Sequence, residues 1–402
     1  MAITNKEQGV WDVDQVYNKQ NEGDIWPIPG SLDDPSKLFV WGYNYYGTTG
    51  DNSRTYYSSP IQVPGTTWMS IGSSGNSAPG YVTLSTKADG TLWAWGGNYY
   101  GDLGQNTITY HSSPVQIPGT NWNQVNGGGG GCATKTDGTL WACGYNNAGQ
   151  LGLNNITNYS SPVQLPGTTW QVGNSKASLH SSSFAIKTDG TLWAWGSNNS
   201  GKLGRNDVVQ RSSPAQVGTD TNWNTISTTN VFTVATKTDG TAWAWGRNEY
   251  GELAQNNQGN PATSMSSPIQ IGTDTNWTSI TAGNVAAFGT KTDGTLWAWG
   301  WDRHACLALG PSHSLPNPIK ISSPTQIGTD TNWSTNLGTV ATMDSAAAVI
   351  KTDGTLWSWG LNDFGQLGHN NKTTYSSPRQ IPGTKWTKLY GFTTTLIGLQ
   401  DL

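Results

Sequence analysis

The chain has 402 residues, among them 51 glycines and 22 tryptophans, and only 11% of its residues are charged. So much aromatic surface excludes an intrinsically disordered chain, and the lack of a three-residue glycine period excludes collagen. A formal charge of −4 without a long charged run argues against a nucleic-acid surface, and no run of 18 apolar residues is present to span a membrane. Three cysteines make no disulfide framework and no apolar signal core follows Met1, so we expect synthesis in a cytoplasm.

Residues 1–35 precede the repeats that fill the rest of the chain, and we expect them to form an N-terminal arm. A short helix in this segment would place its apolar side chains on one face, and an extended strap follows it. The residues predicted to dock are Val10, Trp11, Val13, Val16, Tyr17 and Trp26. The segment GVWDVDQVYNKQNEGDIWP resembles the N-terminal segment of structural proteins of tailed phages. That resemblance implies an arm that binds other virion proteins; the alternative is an arm that lies on the rest of the chain.

Residues 36–402 consist of repeated units. The string DGTLWAWG, or a close variant, occurs six times, and a degenerate copy, KLFVWG, stands at 37–42. The tripeptide SSP occurs seven times, and a lone tryptophan follows the start of each SSP after 10 or 11 residues. These spacings define seven units, so a length that suggests several domains predicts one repeat array instead.

Each unit has the pattern of a β-sheet. An Asp-Gly pair between alternating apolar residues is the strongest short hairpin signal, because both turn residues are expected to adopt a positive φ. Folding one unit about Asp89-Gly90 predicts that Leu84 lies opposite Trp95, on a large aromatic face whose reverse is small. The same register places Phe184, Val234 and Phe288 opposite Trp195, Trp245 and Trp299. Four short strands in each of seven units predict an all-β fold, a seven-bladed β-propeller of four-stranded antiparallel blades.

The two ends of the repeat array complement each other. The last segment, KLYGFTTTLIGLQDL, matches the two strands that precede an Asp-Gly turn, and LFVWG near the start matches the strand that follows it. We therefore predict that one blade takes its first and second strands from the C-terminal segment and its third and fourth from the N-terminal segment. Such a blade closes the ring without an unpaired edge. Nineteen of the 22 tryptophans occupy fixed repeat positions, and we interpret them as core.

The segments between WG and SSP carry the main departures from the repeat. From the glycine to the first serine they measure 16 residues in five units, 20 from Gly246 to Ser266 and 22 from Gly300 to Ser322. The two insertions belong to adjacent blades and should emerge on one face, either as tolerated loop growth or as a contact patch for a protein or a glycan. Exposed aromatic side chains suit such contacts. The candidate interaction residues are Tyr45, Tyr46, Tyr99, Tyr100, Trp301, Arg303, His304, His313 and Lys320.

The sequence offers no catalytic, cofactor or metal site. The five histidines are scattered over different units, and neither a nucleotide loop nor a nucleophile motif is present. Cys143 replaces the second tryptophan of its unit, and the predicted register places Cys132 directly opposite it. We expect two packed thiols there rather than a disulfide, because a cytoplasm is reducing.

The whole repeat, DGTLWAWG followed by GQLG and SSPVQ, resembles the repeats of the regulator of chromosome condensation family. Matching GxLG segments begin at Gly101, Gly149, Gly201 and Gly365. The resemblance covers residues 36–402 and implies a seven-bladed propeller. The founding eukaryotic member of the family is a guanine-nucleotide exchange factor on chromatin, and its repeats typically carry His-Ser before the hairpin. Only His180-Ser181 matches here, so exchange activity is not carried over.

These observations lead us to expect a non-enzymatic structural or adhesive protein of a virus particle, located in the virion head or tail. Its partners would be other virion proteins, further copies in a symmetric assembly, and a glycan or protein of the host surface; we expect no nucleic acid, no membrane insertion and no cofactor. One alternative is a cytoplasmic propeller scaffold or guanine-nucleotide exchange factor. Another is a glycan-binding lectin.

Overall fold

The computed structural model describes residues 36–74, 81–126, 130–171, 177–179, 181–257, 263–310 and 319–401. The predicted arm, residues 1–35, lies outside these ranges, so the boundary between arm and propeller stays a prediction. Within them, no helix has the length and apolar character needed to cross a membrane.

Twenty-eight β-strands occupy the described residues. In chain order they are β1 (Ser36–Gly42), β2 (Tyr57–Gln62), β3 (Trp68–Ser74), β4 (Val82–Lys87), β5 (Leu92–Gly96), β6 (His111–Ile117), β7 (Trp122–Asn126), β8 (Gly130–Lys135), β9 (Leu140–Gly144), β10 (Tyr159–Gln164), β11 (Ala177–Leu179), β12 (Ser182–Ile186), β13 (Leu192–Gly196), β14 (Arg211–Gln216), β15 (Trp223–Thr228), β16 (Phe232–Lys237), β17 (Ala242–Gly246), β18 (Met265–Gln270), β19 (Trp277–Ala282), β20 (Ala286–Lys291), β21 (Leu296–Trp301), β22 (Lys320–Gln326), β23 (Val340–Thr342), β24 (Ala346–Ile350), β25 (Leu356–Gly360), β26 (Tyr375–Ile381), β27 (Trp386–Phe392) and β28 (Thr395–Asp401). Short 3-10 turns lie in the loops at Asn199–Gly201 and Arg303–Ala305.

The strands form seven four-stranded antiparallel sheets, which confirms the predicted seven-bladed propeller. Strands β3 to β6 make blade 1, and each following set of four makes the next blade, up to β23 to β26 in blade 6. Blade 7 combines both ends of the chain in the order β2-β1-β28-β27. Its central pair runs in continuous register from Ser36 opposite Asp401 to Gly42 opposite Thr395, which confirms the predicted ring closure.

The order of strands within a blade sets two faces of the ring. First strands of neighbouring blades contact one another, including β27 with β3, so they surround the centre and the fourth strands lie outside. On one face, each third strand ends and a loop leads to the fourth strand; we call it the loop face. On the other lie the Asp-Gly turns; we call it the turn face.

The hairpin register differs by one residue from the prediction. Gly90 has a φ of +76°, but Asp89 has no positive φ. The Gly90 N–H donates to the Lys87 carbonyl and the Lys87 N–H donates to the Thr91 carbonyl, both at 3.0 Å. This is a three-residue loop, a β-turn followed by a glycine bulge, and not the predicted two-residue turn.

The extra residue moves every predicted cross-strand pair. Leu84 lies opposite Ala94, and Trp95 lies opposite Thr83. The predicted pairs of Phe184, Val234 and Phe288 with tryptophans are likewise wrong, because these residues face Ala194, Ala244 and Ala298. Each aromatic face therefore combines tryptophans with small neighbours, and it packs on the aliphatic face of the preceding blade. Trp95, for example, packs in one cluster with Val40 and Ile397 of blade 7.

The same shift separates the two cysteines. Cys132 faces Ala142, whereas Cys143 faces Gly131, so their side chains leave the sheet on opposite sides. The prediction that they lie directly opposite each other is wrong. Cys132, Cys143 and Cys306 are all free thiols and buried.

Tryptophan side chains lock each blade to its neighbour. The Trp95 indole donates to the Thr48 carbonyl of blade 7 at 2.9 Å, and Trp195 donates to Gln150 of blade 2 at 2.8 Å. The same bond joins a further four blade pairs through Trp41, Trp245, Trp299 and Trp359. In blade 2 the Cys143 thiol takes this place, 3.6 Å from the Asp102 carbonyl.

Candidate interaction face

The loops of the loop face are held by one recurring side-chain clamp. In blade 1 the Asn98 amide donates to the carbonyls of Thr107 and Thr109, at 3.0 and 2.9 Å, and its oxygen accepts the Leu103 N–H. Equivalent clamps are made by Asn44, Asn146, Asn198 and Asn362. The clamp fixes the residues on both sides of one central residue, which we call the loop tip.

The five tips held in this way differ in chemistry although their backbones are equivalent. They are Arg54 in blade 7, Ile108 in blade 1, Ile156 in blade 2, Val208 in blade 3 and Lys372 in blade 6. The apolar tips project into solvent, with exposed fractions of 67% for Ile108, 60% for Ile156 and 69% for Val208. A short turn below each tip adds rigidity; the Asn155 side chain, for example, accepts the Thr157 N–H at 3.0 Å.

A second set of contacts joins aromatic rings across blade boundaries. Tyr100 of blade 1 lies 4.5 Å from Tyr145 of blade 2, measured between ring centroids. Tyr46 of blade 7 stacks on Tyr81 of blade 1 at 5.2 Å with an interplanar angle of 15°. Burial raises the pKa of Tyr81 and of Tyr100, so both rings stay neutral.

The predicted residues Tyr45 and Tyr99 pack on two of these half-buried rings. Each is 55% exposed. Tyr45 packs edge-on against Tyr46 at 4.9 Å, and Tyr99 packs edge-on against Tyr100 at 4.8 Å. Two neighbouring blades therefore present a tyrosine in the same way, and a role of these tyrosines in binding stays a prediction.

Among the described residues of the loop face, the exposed large apolar side chains lie on neighbouring blades. Within the described ranges all of them belong to the loops of the consecutive blades 7, 1, 2 and 3. We call this set the apolar arc; its members are Tyr45, Tyr56, Tyr99, Ile108, Ile156, Val208 and Val209. The sequence analysis missed Tyr56 and the four aliphatic members. The signal for the aliphatic tips was an apolar residue midway between LG and SSP in three successive units, at Ile108, Ile156 and Val208.

The predicted patch at the insertions forms a separate aromatic pair with cations around it. Tyr250 of blade 4 stacks on Trp301 of blade 5, with centroids 4.4 Å apart and an angle of 17°. Lys320 Nζ lies 4.9 Å from the Tyr250 ring and the Arg303 guanidinium 5.5 Å from the Trp301 ring. Arg247 also covers Tyr250, but it pairs with Glu252. The described ends of both insertions thus meet on the loop face.

Other predicted site residues take no part in this grouping. His304 is half-buried beside Arg303, and burial lowers the pKa of its imidazole. His313 lies outside the described residues, as do the predicted docking residues of the arm, Val10, Trp11, Val13, Val16, Tyr17 and Trp26.

No group of three or more His, Cys, Asp or Glu side chains that could hold a metal occurs among the described residues. Burial raises the pKa of the Cys132 thiol to about 12 and raises that of Cys143 and Cys306 as well, so these sulfurs are protonated and unreactive at neutral pH.

Solved structures share this architecture. Human WBSCR16 superposes with a TM-score of 0.76 at 20% identity, over 91% of this chain and 99% of that one. Yeast RCC1 (Prp20), in its complex with Kap60, superposes with a TM-score of 0.78 at 18% identity, over 92% of this chain and 89% of that one. At these identities the likeness shows the fold.

Curated relatives match parts of the chain. The E3 ubiquitin-protein ligase HERC2 of Homo sapiens is 28% identical over 102 residues, 25% of this chain and 2% of that protein. The ultraviolet-B receptor UVR8 of Arabidopsis thaliana is 24% identical over 210 residues, 52% of this chain and 46% of that protein. The chain therefore spans less than half the length of these relatives.

The repeat itself matches a family model. The regulator of chromosome condensation (RCC1) repeat is found five times and covers more than half of the chain, at residues 89–134, 137–172, 189–235, 239–285 and 353–389. With the seven closed blades described above, this match shows that the chain belongs to the family of proteins built from RCC1 repeats.

Proposed function

We propose that the protein is a non-catalytic scaffold that binds other proteins through its loop face. The observation that carries the proposal is the apolar arc, where all exposed large apolar side chains of the described residues lie on four consecutive blades. Scattered single apolar residues are normal on a soluble protein, but a grouped set of them on one face marks an interaction site.

The construction of the arc supports recognition. Tyrosine offers a rigid ring with a polar tip at low entropic cost, and the surrounding Asn, Ser and Thr side chains offer hydrogen bonds, as in antibody loops. Because Asn clamps hold the tips and the half-buried rings of Tyr46 and Tyr100 hold Tyr45 and Tyr99, little order has to be gained on binding. The aliphatic tips favour a protein over a glycan, since Ile and Val present no ring on which a sugar can stack.

The relatives agree with a protein-binding role. Yeast RCC1 (Prp20) is bound to Kap60 in one solved structure, and another reports the binding properties of Saccharomyces cerevisiae Prp20p to Gsp1p and histones. This favours the scaffold alternative of the sequence analysis over its main hypothesis. A place in a virus particle rests on residues 1–35 alone and stays a prediction, and so does glycan binding.

Photocrosslinking in cells tests the proposal. A photoreactive phenylalanine analogue replaces Tyr99 on the loop face of the full chain, and in a control chain it replaces Thr188, which is exposed on the turn face. We expect one or more defined protein adducts from position 99, another copy of the chain included. Position 188 should give far less of the same adducts.

Two results would count against the scaffold. One is a chain that gives no protein adduct at position 99 although both labelled chains fold. The other is the same adducts in equal yield from positions 99 and 188, because binding would then not depend on the loop face.

A further inference from the structure

We propose that the N-terminal arm, residues 1–35, folds back onto the turn face of its own ring and places residues 25–29 in a cavity between blades 6 and 7. This inference goes beyond the proposed function, because it concerns the opposite face of the ring and needs no partner of the apolar arc.

The cavity lies on the turn face and has a volume of about 740 Å³. Ile350 of blade 6 and Trp386 of blade 7, both buried, give its lining an apolar part. Asn336, Thr387 and Asp401 belong to its polar part. The cavity therefore offers an apolar floor with polar walls, which suits an apolar peptide segment that has polar neighbours.

A bulge in the first strand of blade 6 forms one wall of the cavity. Residues 333–351 make up a segment that is four residues longer than its equivalents in blades 4, 5 and 7. The Ser334 N–H donates to the Ile350 carbonyl and the Ile350 N–H donates to the Thr339 carbonyl, both at 3.0 Å. Residues 335–338 therefore leave the ladder, and they hold the wall away from blade 7.

The arm joins the ring at the edge of this cavity. Ser36, where the described residues begin, lies opposite Asp401, with Ser36 Oγ 3.5 Å from Asp401 Oδ1, and Asp401 lines the cavity. The seven steps from Pro29 to Ser36 span roughly 23 Å when the chain is extended. Residues 25–29 are therefore within reach of the cavity.

The attachment point is the reason to assign the cavity to the arm and not to a separate protein. A short linker gives a tethered segment an effective concentration in the millimolar range. A contact with a dissociation constant of only about 0.1 mM is then mostly occupied. A separate partner would have to compete with a segment that never leaves the edge of the site.

The composition of the arm fits the same assignment. Residues 25–29, with the sequence IWPIP, are its longest apolar run. Proline restricts the backbone before binding, so little conformational entropy is lost when such a segment docks. The arm has seven acidic and two basic residues, a net charge of −5, whereas residues 36–402 have a net charge of +1. Overall charge thus favours an arm that stays on the ring.

Cysteine crosslinking in the full chain tests the docking. Ser31→Cys closely follows the bound segment, and Asn336→Cys replaces an exposed residue of the bulge; the native cysteines are buried. The control pair combines Ser31→Cys with Thr66→Cys, an exposed position on the blade 1 side of the attachment point. Thr66 is within reach of the arm as well, because the nearby Val63 N–H donates to the Leu38 carbonyl of β1 at 2.8 Å.

A short bis-maleimide should join position 31 to position 336 within one chain at about five times the yield of the control pair, or more. In chains that also carry Trp26→Asp and Ile28→Asp, the yield at 31–336 should fall to that of the control, because an unpaired carboxylate does not enter an apolar contact. Equal yields from the two pairs would overturn the docking. So would a 31–336 yield that the two aspartates leave unchanged.

Hydrogen exchange tests the same contact without cysteines. The amides of residues 335–338 and 385–388 should exchange several-fold more slowly in the wild-type chain than in the chain with Trp26→Asp and Ile28→Asp. The amide of Ile108, on the loop face, should exchange equally in both. The two substitutions lie outside the ring, and circular dichroism checks that the blades are intact. Equal exchange of residues 335–338 in the two chains would show that the arm does not cover the cavity.

Discussion

One repeat position shows how a single side chain adapts the same loop to each blade boundary. It is filled by Thr48, Asp102, Gln150, Lys202, Glu252, Cys306 and Gln366, all of them buried. At six of these positions the main-chain carbonyl accepts an indole N–H of the next blade, and at Asp102 it faces the Cys143 thiol, so the backbone role is constant while the side chain varies. The sequence shows the variation, but it does not show the burial, because the loop around the position is polar.

Lys202 is the cation of this series, and it makes stability depend on pH. It is fully buried, and its Nζ donates to Ser181 Oγ at 2.8 Å and to the Asn230 carbonyl at 2.7 Å. Burial lowers its pKa from 10.5 to about 8. Between these values the unfolded chain binds the extra proton, so stability should rise with pH, by roughly 3 kcal/mol in total.

The Lys202→Gln variant carries the residue found at the equivalent positions, Gln150 and Gln366. Its unfolding free energy should not show this rise with pH. Urea unfolding of both chains between pH 7 and pH 10 measures it. An identical pH dependence of the two unfolding free energies would show that Lys202 does not titrate in this way.

Asp102 makes stability depend on pH in the opposite direction. Its carboxylate accepts the backbone N–H groups of Tyr145 at 3.2 Å and Tyr100 at 3.3 Å. It therefore fixes the backbone of both tyrosines whose rings meet between blades 1 and 2. Burial raises its pKa from 3.8 to about 6. The folded chain then binds the extra proton between these values, and the stability from this group is complete below pH 3.8 and is lost as pH rises to 6.

Asp102→Asn should therefore flatten the pH dependence of the unfolding free energy between pH 4 and pH 6, by roughly 3 kcal/mol. Glu252→Gln, at the equivalent position of blade 4, is the matched comparison: burial raises the pKa of Glu252 as well, but the Arg247 guanidinium beside it lowers that pKa, so a weaker flattening is expected there. A wild-type stability that does not fall more steeply than that of Asp102→Asn would contradict the assignment.

At the scale of the element, the hairpins explain why the repeat keeps its DGTLW string. In blade 3 the Thr191 hydroxyl donates to Asp189 at 2.6 Å and accepts the Trp193 indole N–H at 2.8 Å. Lys187 Nζ then lies between two indoles, 5.0 Å from Trp170 and 4.0 Å from Trp193. The Asp-Thr-Trp chain recurs in blades 1 to 6.

The sequence predicted these strands and their order because turn residues and apolar alternation are local signals. It failed on the register, because Asp-Gly fits a two-residue turn as well as a turn with a glycine bulge. The choice is made by the Lys87–Thr91 hydrogen bond, which no local pattern reveals. Because the observed register differs from the predicted one by a single residue, Leu84 and Cys132 lie on the opposite face of their sheets from the one predicted.

Thr191→Val should destabilise the protein by about 1 kcal/mol, because it removes one hydrogen bond from Asp189 and leaves the half-buried Trp193 N–H without its acceptor. Denaturant unfolding with an unchanged m-value measures the loss. Thr188→Val, exposed on the same turn, is the control and should be neutral. If the two variants are equally stable, the Thr191 hydroxyl does not stabilise the hairpin, and it does not explain why the repeat keeps its DGTLW string.

At the scale of the whole molecule, stability depends on the blade that both ends of the chain share. Deletion of residues 387–402 removes β28 and nearly all of β27, with the buried side chains of Leu389, Leu396 and Ile397. Each such loss costs about 2–5 kcal/mol, and their sum exceeds the usual net stability of a domain. We expect the truncated chain to lose its cooperative thermal transition in calorimetry. A transition at the temperature of the full chain would contradict the closure.

The ring closure was predictable because the N-terminal and C-terminal segments of the repeat array each carry two strands of one four-stranded unit. The arc was only partly predictable. Tyr45 and Tyr99 stand out in the sequence, but the exposure of Ile108, Ile156 and Val208 depends on the clamps from Asn98, Asn146 and Asn198. Those bonds join residues that lie nine to eleven positions apart in the loop, and no local sequence pattern reveals them.

Hydroxyl-radical footprinting of the full chain in cells tests most directly whether a protein covers the arc. Tyr45 and Tyr99 are each 55% exposed in the isolated chain, and Tyr375, half-buried in blade 6, serves as the internal reference. We expect Tyr45 and Tyr99 to be oxidised several-fold more slowly in cells than in dilute purified protein, while Tyr375 reacts at the same rate in both. Equal rates for Tyr45 and Tyr99 in the two conditions would contradict an interaction face at the arc.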